Sequence, residues 1–202
     1  MGLLSCHEMR ELERRAFRKG ISAESLMDKA GKRLGEALVD LYSGPGTAVA
    51  YVGKGNNGGD ALVALRVLRS AGWKVVVRSA FQPLEFGALP RQKLRELGDI
   101  EVQRERRELE TNQGPLLLLD GLLGIGANGA LRDPIGALAA EMNALRESGG
   151  AEIVAIDVPS GVNADDGRVE DGAVRADLTA TIAVPKKGLV AESALMHVGR
   201  IE

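Results

Sequence analysis

The chain has 202 residues, 45% hydrophobic and 27% charged, a balance that supports one compact core and resembles neither a disordered tail nor a low-complexity tract. With 26 basic residues against 28 acidic the formal charge is −2, and the basic runs at 10–19 and 104–107 are interleaved with Glu, as solvated helix faces are, so nucleic-acid binding is disfavoured. A single cysteine, Cys6, and two histidines make neither an internal disulfide nor a structural zinc site; no apolar run reaches the roughly 18 residues of a membrane span, and the N-terminus reads as neither signal nor transit peptide, so a cytoplasmic protein without membrane contact is expected.

In chain order, apolar residues recur at helical spacing from Glu8 to Leu41, interrupted at Lys19-Gly20-Ile21-Ser22, where Ser22 can cap a second helix. Residues 48–52 form a short apolar run bounded by glycines, as a buried parallel strand does. A helix follows over 58–71, a valine-rich strand over 73–80 and a helix over 89–97. Residues 100–102 are a third strand and 115–120 a fourth, and a helix opens after Asp133-Pro134 to run over 135–147. Strands at 151–157 and 179–184 complete the set. Alternation of this kind predicts a three-layer α/β/α Rossmann-like sandwich, one domain over 1–202, with a mostly parallel central sheet and two N-terminal helices.

Ligands of such sheets bind beyond the carboxyl ends of the strands. Three strands run into polar or glycine-rich segments: Gly53-Lys-Gly-Asn-Asn-Gly-Gly-Asp60, Asp120-Gly-Leu-Leu-Gly-Ile-Gly-Ala-Asn128 and Asp157-Val-Pro-Ser-Gly161. All three are expected on one sheet edge. Gly53, Gly55 and Gly58 satisfy G-x-G-x-x-G after a strand, but the acidic ribose contact of ordinary dinucleotide folds is missing from the second strand, which ends Arg78-Ser79-Ala80. Either Arg78 holds a 2′-phosphate or the geometry is not that of an ordinary nicotinamide site, and the latter is preferred. No Ser or Thr follows a Gly-Lys pair, which excludes a Walker loop.

Paired Asn and paired Gly at a helix N-terminus offer backbone N–H groups to a diphosphate and amide oxygens to a hard cation. The plainer reading is an Asn-Gly turn with Asp60 capping the helix. Asp120 ends a run of four leucines, and Ser160 offers a hydroxyl in a turn stiffened by Pro159. Asp165, Asp166 and Gly167 read as a solvated turn. Lys54 is either a diphosphate contact or a solvated loop lysine, Trp73 reads as packing, and the roles of Lys186 and Lys187 are open.

These motifs are similar to those of the NAD(P)H-hydrate epimerases, whose domain carries an Asn-Asn-Gly-Gly-Asp loop after its first strand. The resemblance covers nearly the whole chain: Glu8 to Ala16 and Leu26 to Gly31 resemble the opening helices, and Asp120 to Gly126, Ile156 to Gly167 and Pro185 to Leu189 resemble later motifs, all in order. It implies an isomerase that interconverts the R and S hydrates of NADH or NADPH at C6 of the nicotinamide ring, so that an S-specific dehydratase can restore the cofactor. By the same resemblance Asn56, Asn57, Gly58, Gly59 and Asp60, with Gly124, Ile125, Gly126, Ala127, Asn128, Gly129 and Ala130, line the substrate, and Asp157 contacts it. Asn57, Asp120 and Ser160 are the implied ligands of a potassium ion, a set of hard oxygen donors. A carboxylate must serve the departing and returning oxygen, and Asp157 is the assignment, with Asp120 its rival.

Two departures stand out. Gly121 and Leu123 replace the family's Asp-Ala-Leu-Phe-Gly pattern, which loosens the backbone beside Asp120, and the chain stops at Gly199-Arg-Ile-Glu202, where the family continues into another strand, so a shortened last element is expected. A homodimer is the assembly entertained. The competing functions are a non-catalytic nucleotide-binding or scaffold version of the domain and an ordinary nucleotide-dependent oxidoreductase; the first requires loss of the Asn pair or the aspartates, which are all present, and the second lacks its ribose acid.

Overall fold

The structure is a computed structural model describing residues 2–107, 109 and 114–202. Seven strands form one wholly parallel sheet in the order β3-β2-β1-β4-β5-β6-β7, namely β1 Thr47–Val52, β2 Lys74–Arg78, β3 Val102–Gln103, β4 Leu116–Gly121, β5 Glu152–Ile156, β6 Leu178–Ala180 and β7 Arg200–Ile201. The chain steps outward from β1 to β2 and β3, then returns to the other side of β1 as β4 and continues to β7. The order therefore reverses between β1 and β4, and the crevice such sheets use for ligands opens there. Register brings the ends of the central strands level: Tyr51 lies beside Asp120, and Asp120 beside Ala155.

Alternate residues of β1, β4 and β5 feed two cores, as a period of two requires. Ala48, Ala50 and Val52, with Leu117, Leu119, Val154 and Ile156, face α2 (Ala23–Leu41), α3 (Asn56–Ser70) and α4 (Ala88–Glu96) through Leu38, Leu62, Leu65, Leu68 and Leu94. Val49, Tyr51, Leu118, Ile153 and Ala155 face α5 (Ile135–Glu147) through Leu138, Ala139 and Met142. Burial of each such leucine stabilises the fold by roughly 1.5–3 kcal/mol. The helices on the first face approach closely because α2 presents glycine to α3: a Cβ on Gly31 would lie 2.5 Å from Val63 Cβ, and one on Gly35 2.6 Å from Val67 Cβ.

The first helix, α1 (Cys6–Arg18), stands outside these two cores. Ser5 and Glu8 form its capping box, satisfying N–H groups that the first turn leaves without partners. Its buried Cys6 joins Val158, Val162, Ala164, Leu189, Ala194 and Val198 in a small cluster that ties α1 to the loop after β5 and to the C-terminal segment. That segment was largely missed in the sequence. The strand expected over 179–184 ends at Ala180, because Ala183 adopts a left-handed φ of 63° and the chain leaves the sheet for two short 3₁₀ turns, Lys187–Val190 and Glu192–Ala194, before α6 (Leu195–Val198) and β7. No described helix is long and apolar enough to cross a membrane.

Candidate active site

The three strand-to-loop junctions meet at the ends of β1, β4 and β5. After β1, α3 begins two residues earlier than the pattern indicated: Gly55 is its N-cap, so Asn56 and Asn57 lie in the first helical turn and Asp60 lies inside the helix. Asp60 is therefore not the cap. Among the described residues no side chain satisfies the first N–H groups of α3, and its first turn carries no acid, which leaves its positive end open to an anion. Glycine is required here for space: a Cβ on Gly58 would lie 2.7 Å from the Gly53 carbonyl oxygen.

Asp120 is completely buried beneath the crevice. Its Oδ1 accepts from the Ser160 hydroxyl (2.7 Å) and the Leu122 N–H (3.2 Å), and its Oδ2 accepts from the Ser160 N–H (2.7 Å). Burial raises its pKa to about 6 against the opposing pull of these bonds. No Lys, Arg or His among the described residues pairs with it. Ser160 Oγ also accepts from the Leu123 N–H (3.0 Å), and Asn57 Nδ2 donates to the Leu123 carbonyl (2.7 Å), so one short loop links all three residues. Gly124 packs on the Asn57 side chain, where a Cβ would lie 3.3 Å from Asn57 Cβ. Gly121 does not loosen this region: it sits within β4, and a Cβ there would meet Ala61 Cβ at 2.7 Å, so its smallness serves the contact with α3.

Asp157 follows β5 in a left-handed conformation, φ 70°, uncommon for a residue with a side chain. The strain is held from several sides. Its N–H donates to the Ala180 carbonyl (2.9 Å), and its Oδ1 accepts from the Ile182 N–H (3.0 Å) and from the Lys186 ammonium, which also donates to the Ile182 carbonyl (2.8 Å). Lys186 is wholly buried, while Asp157 is 8% exposed. Asp60, from α3, and Glu13, half-buried on α1, complete the charged group, each with its pKa raised first by burial and then by the Asp157 charge, while Lys186 acts in the opposite direction.

The segment from Gly124 to Ala130 divides by role. Gly124, Ala127, Asn128 and Gly129 line a shallow depression facing Val158–Asn163 and Glu170, with the Asn163 amide donating to Asn128 across it (2.8 Å). Ile125 instead packs on the cluster beneath α1, Gly126 faces Arg10, and Ala130 lies outside the depression.

The remaining expectations have mixed outcomes: the preference against a phosphate role for Arg78 and the packing role of Trp73 hold, and the plain-turn reading of Asp165 is corrected. Arg78 is not available for a phosphate: its guanidinium forms two bonds to Glu141 (3.0 and 2.8 Å) and one to the Gln103 carbonyl (3.1 Å), and Tyr51 completes that buried network through Glu141 (2.9 Å). Lys54 pairs with Glu85 (2.9 Å) and lies over the Phe81 ring (4.3 Å). Asp165 is more than a solvated turn, since it accepts from the Cys6 N–H (2.6 Å) at the start of α1. Trp73 packs edge-on against Tyr42, with ring centres 5.9 Å apart. Sequence reasoning left Lys186 open and passed over Glu13; only the Pro-Lys-Lys-Gly turn hinted at the former.

Comparison with known proteins agrees with this arrangement. The model of the family described as YjeF-related protein N-terminus matches residues 23–188. The bifunctional NAD(P)H-hydrate repair enzyme Nnr of Coxiella burnetii is 36% identical over 199 residues, covering 96% of this chain and 39% of that protein. The NAD(P)H-hydrate epimerase of Rhodopirellula baltica is 32% identical over 203 residues, covering 98% of this chain and 81% of that one. The chain thus spans about two fifths of its bifunctional relatives and most of the single-function one. Among solved structures, yeast ynu0 (YNL200c) superposes with a TM-score of 0.76 at 19% identity over 98% of this chain and 84% of that one, a likeness of fold.

Proposed function

The chain belongs to the family of YjeF-related protein N-termini, and from that premise we propose that it is an NAD(P)H-hydrate epimerase, interconverting the R and S hydrates of NADH and NADPH at C6 of the nicotinamide ring. The observation that carries this reading is the meeting of Asn57, Asp120 and Ser160 around one loop beside the strained Asp157, all at the point where strand order reverses. The open N-terminus of α3 suits the diphosphate, and Gly124, Ala127, Asn128 and Gly129 with the 158–163 turn form a wall for the rest of the dinucleotide.

Proton transfer at C6 falls to Asp157. Asp120 is fully buried with both oxygens engaged, whereas Asp157 keeps some solvent exposure immediately before the 158–163 turn that lines the depression. The ring nitrogen's electron pair expels the C6 oxygen as it is protonated, and water returns to the opposite face.

A potassium ion fits the residues present. Asp120 is a buried carboxylate without a basic partner among the described residues, Asn57 Oδ1 receives no hydrogen bond among them, and Asp120 and Ser160 retain lone pairs beyond those already used. Asn57, Asp120 and Ser160 would hold the ion, which when bound supplies positive charge beside the substrate's diphosphate where the crevice offers few free Lys or Arg. A dehydratase acting on the S hydrate is the partner this activity requires, consistent with the name of the bifunctional relatives. The assay is direct: a mixed R and S hydrate pool is incubated with an S-specific dehydratase, and the absorbance of the reduced nicotinamide is followed. Adding this protein should carry recovery past half of the pool, faster than spontaneous epimerisation; recovery that stalls with the R hydrate remaining rejects the reading.

A further inference from the structure

Resting on the epimerase reading, we propose that Asp60 is a second catalytic carboxylate, the proton donor to the departing C6 oxygen, and that Lys186 is the positioning residue that holds Asp157 as its ion-paired counterpart. Asp60 lies one turn into α3 and is 8% exposed, yet no described residue donates a hydrogen bond to its side chain. A carboxylate this deep needs a partner or a proton. The cation that acts on it is not free to serve it, because the Lys186 ammonium is bound to Asp157 and to the Ile182 carbonyl (2.8 Å).

The surroundings decide which carboxylate keeps the proton. From α1 come Glu13, Arg10 and Cys6; from the loop after β5, Asp157; from the segment after β6, Lys186. The helices packed on the adjoining Gly59, α2 and α4, present Met27 and Pro90 there. Burial pushes the Cys6 thiol up to about 11, so it stays neutral. Burial, Asp157 and Glu13 all drive the Asp60 carboxyl well above the ordinary range, and Lys186 only partly offsets them. Three carboxylates thus share the field of one wholly buried ammonium that is already committed to Asp157, and Asp60, to which no described residue donates a hydrogen bond, is the one disposed to hold a proton.

Lys186 is held in place by elements distant in sequence. Leu4 pairs in parallel with it, donating its N–H to the Pro185 carbonyl (3.0 Å) and accepting from the Lys187 N–H (3.0 Å). The Lys187 side chain pairs with Glu8 (3.0 Å), and the Gly188 N–H donates to the Ala164 carbonyl (2.8 Å). The chain before α1 therefore acts as a strap across the turn that carries the buried lysine.

The step balances without a further reactant. The N1 electron pair forms the N1=C6 π bond as the C6–O bond breaks, and the departing oxygen takes the Asp60 proton and leaves as water. Water then adds to the opposite face of C6, the π electrons return to N1, and the proton it sheds passes to Asp157. Solvent returns that proton to Asp60 and closes the cycle.

The test measures kcat and KM for R-to-S conversion by the intact chain and its Asp60→Asn, Lys186→Met and Lys186→Arg variants, with circular dichroism melts alongside. Asp60→Asn keeps the shape of a protonated carboxyl and should lower kcat at least about 100-fold while KM stays within about threefold. Lys186→Met should lower kcat at least about tenfold and displace the pH profile, and Lys186→Arg should recover a substantial part of both. An Asp60→Asn variant within about threefold of wild type overturns the donor assignment, and an unchanged pH profile in Lys186→Met overturns the positioning role. If Asp60→Asn does not fold, the wild-type profile decides: kcat that falls as pH rises beyond the ordinary carboxylate range supports a protonated donor, and a flat profile removes it. Wild-type protein that fails to interconvert the epimers sinks the underlying reading, whereas active wild type with an active Asp60→Asn variant sinks only this inference.

Discussion

Two lysines among the described residues are almost completely buried, Lys93 at 2% exposure and Lys186 at 0%, and each ends in an ion pair, but the company they keep differs. Lys93, on α4, reaches Glu24 (3.2 Å), Asp28 (2.8 Å) and Glu96 (3.1 Å), whose side chains keep much of their surface in solvent. Its partners can turn to water if it is lost, so it serves as a staple between α2 and α4. Lys186 faces Asp157, itself buried and held in a left-handed backbone, with Asp60 and Glu13 nearby. Asp157 and Asp60, each 8% exposed, have far less access to water than the partners of Lys93. The same pairing of charges fastens helices on one flank and, on the other, holds the carboxylate we propose to be reactive, and the solvent access of the partners makes the difference.

Substitutions can break this contrast in both directions. The largest effect is expected at Asp157: Asp157→Asn should lower epimerisation by about 10² to 10⁴ while hydrate affinity, read by calorimetry, stays within about tenfold. An active variant refutes the assignment. Lys93→Met provides the matched control. It should reduce stability by about 1–3 kcal/mol, a fall in melting temperature of a few degrees for a chain of this length, with kcat unchanged. Loss of kcat there would erase the distinction between the two lysines.

The proposed cation site predicts a smaller, pH-dependent effect. Because the folded pKa of Asp120 is raised from 3.8 to about 6, the cation-free fold binds a proton more readily than the unfolded chain between those values; its stability from this group is fully present below pH 3.8 and is lost as pH rises through about 6. Potassium should offset that loss, so its thermal shift against an organic cation should be larger at pH 7.5 than at pH 5. Equal shifts at both pH values, or their persistence in Asp120→Asn, would count against the site. The smallest effect is expected at the strap. Ser5→Ala should cost about 1 kcal/mol by removing the α1 cap. Glu8, whose pKa is lowered to about 2 by its bonds to Ser5 and Lys187, contributes stability that is present above pH 4.5 and lost as pH falls through about 2, so acid titration of Glu8→Ala should show a shallower decline than wild type.

What the sequence revealed and what it hid follow from the range of the interactions involved. Asn57, Asp120 and Ser160 were legible because each stands within a few residues of a strand end, and a parallel sheet delivers strand ends to a common edge. The two N-terminal helices were legible from period and from Ser22. Lys186 was not, because its burial depends on Leu4, Asp157 and Ala164, contacts that no local window contains. The start of α3 was misjudged for a related reason: Asn and Gly favour turns in isolation, yet here the packing of Gly58 against the end of β1 draws them into the helix. The sequence leaves a phosphate role for Arg78 open, though not preferred, because its partner, Glu141, lies 63 positions away on α5.

The central claim is that the three junctions form one site around a cation and a nicotinamide hydrate. It is tested most directly by a crystal structure grown with rubidium in place of potassium and soaked with the hydrate, using the anomalous signal of the ion. The account predicts an anomalous peak among Asn57, Asp120 and Ser160, with the saturated ring between Asp60 and Asp157. An ion bound elsewhere, or a ring placed away from both carboxylates, would contradict it.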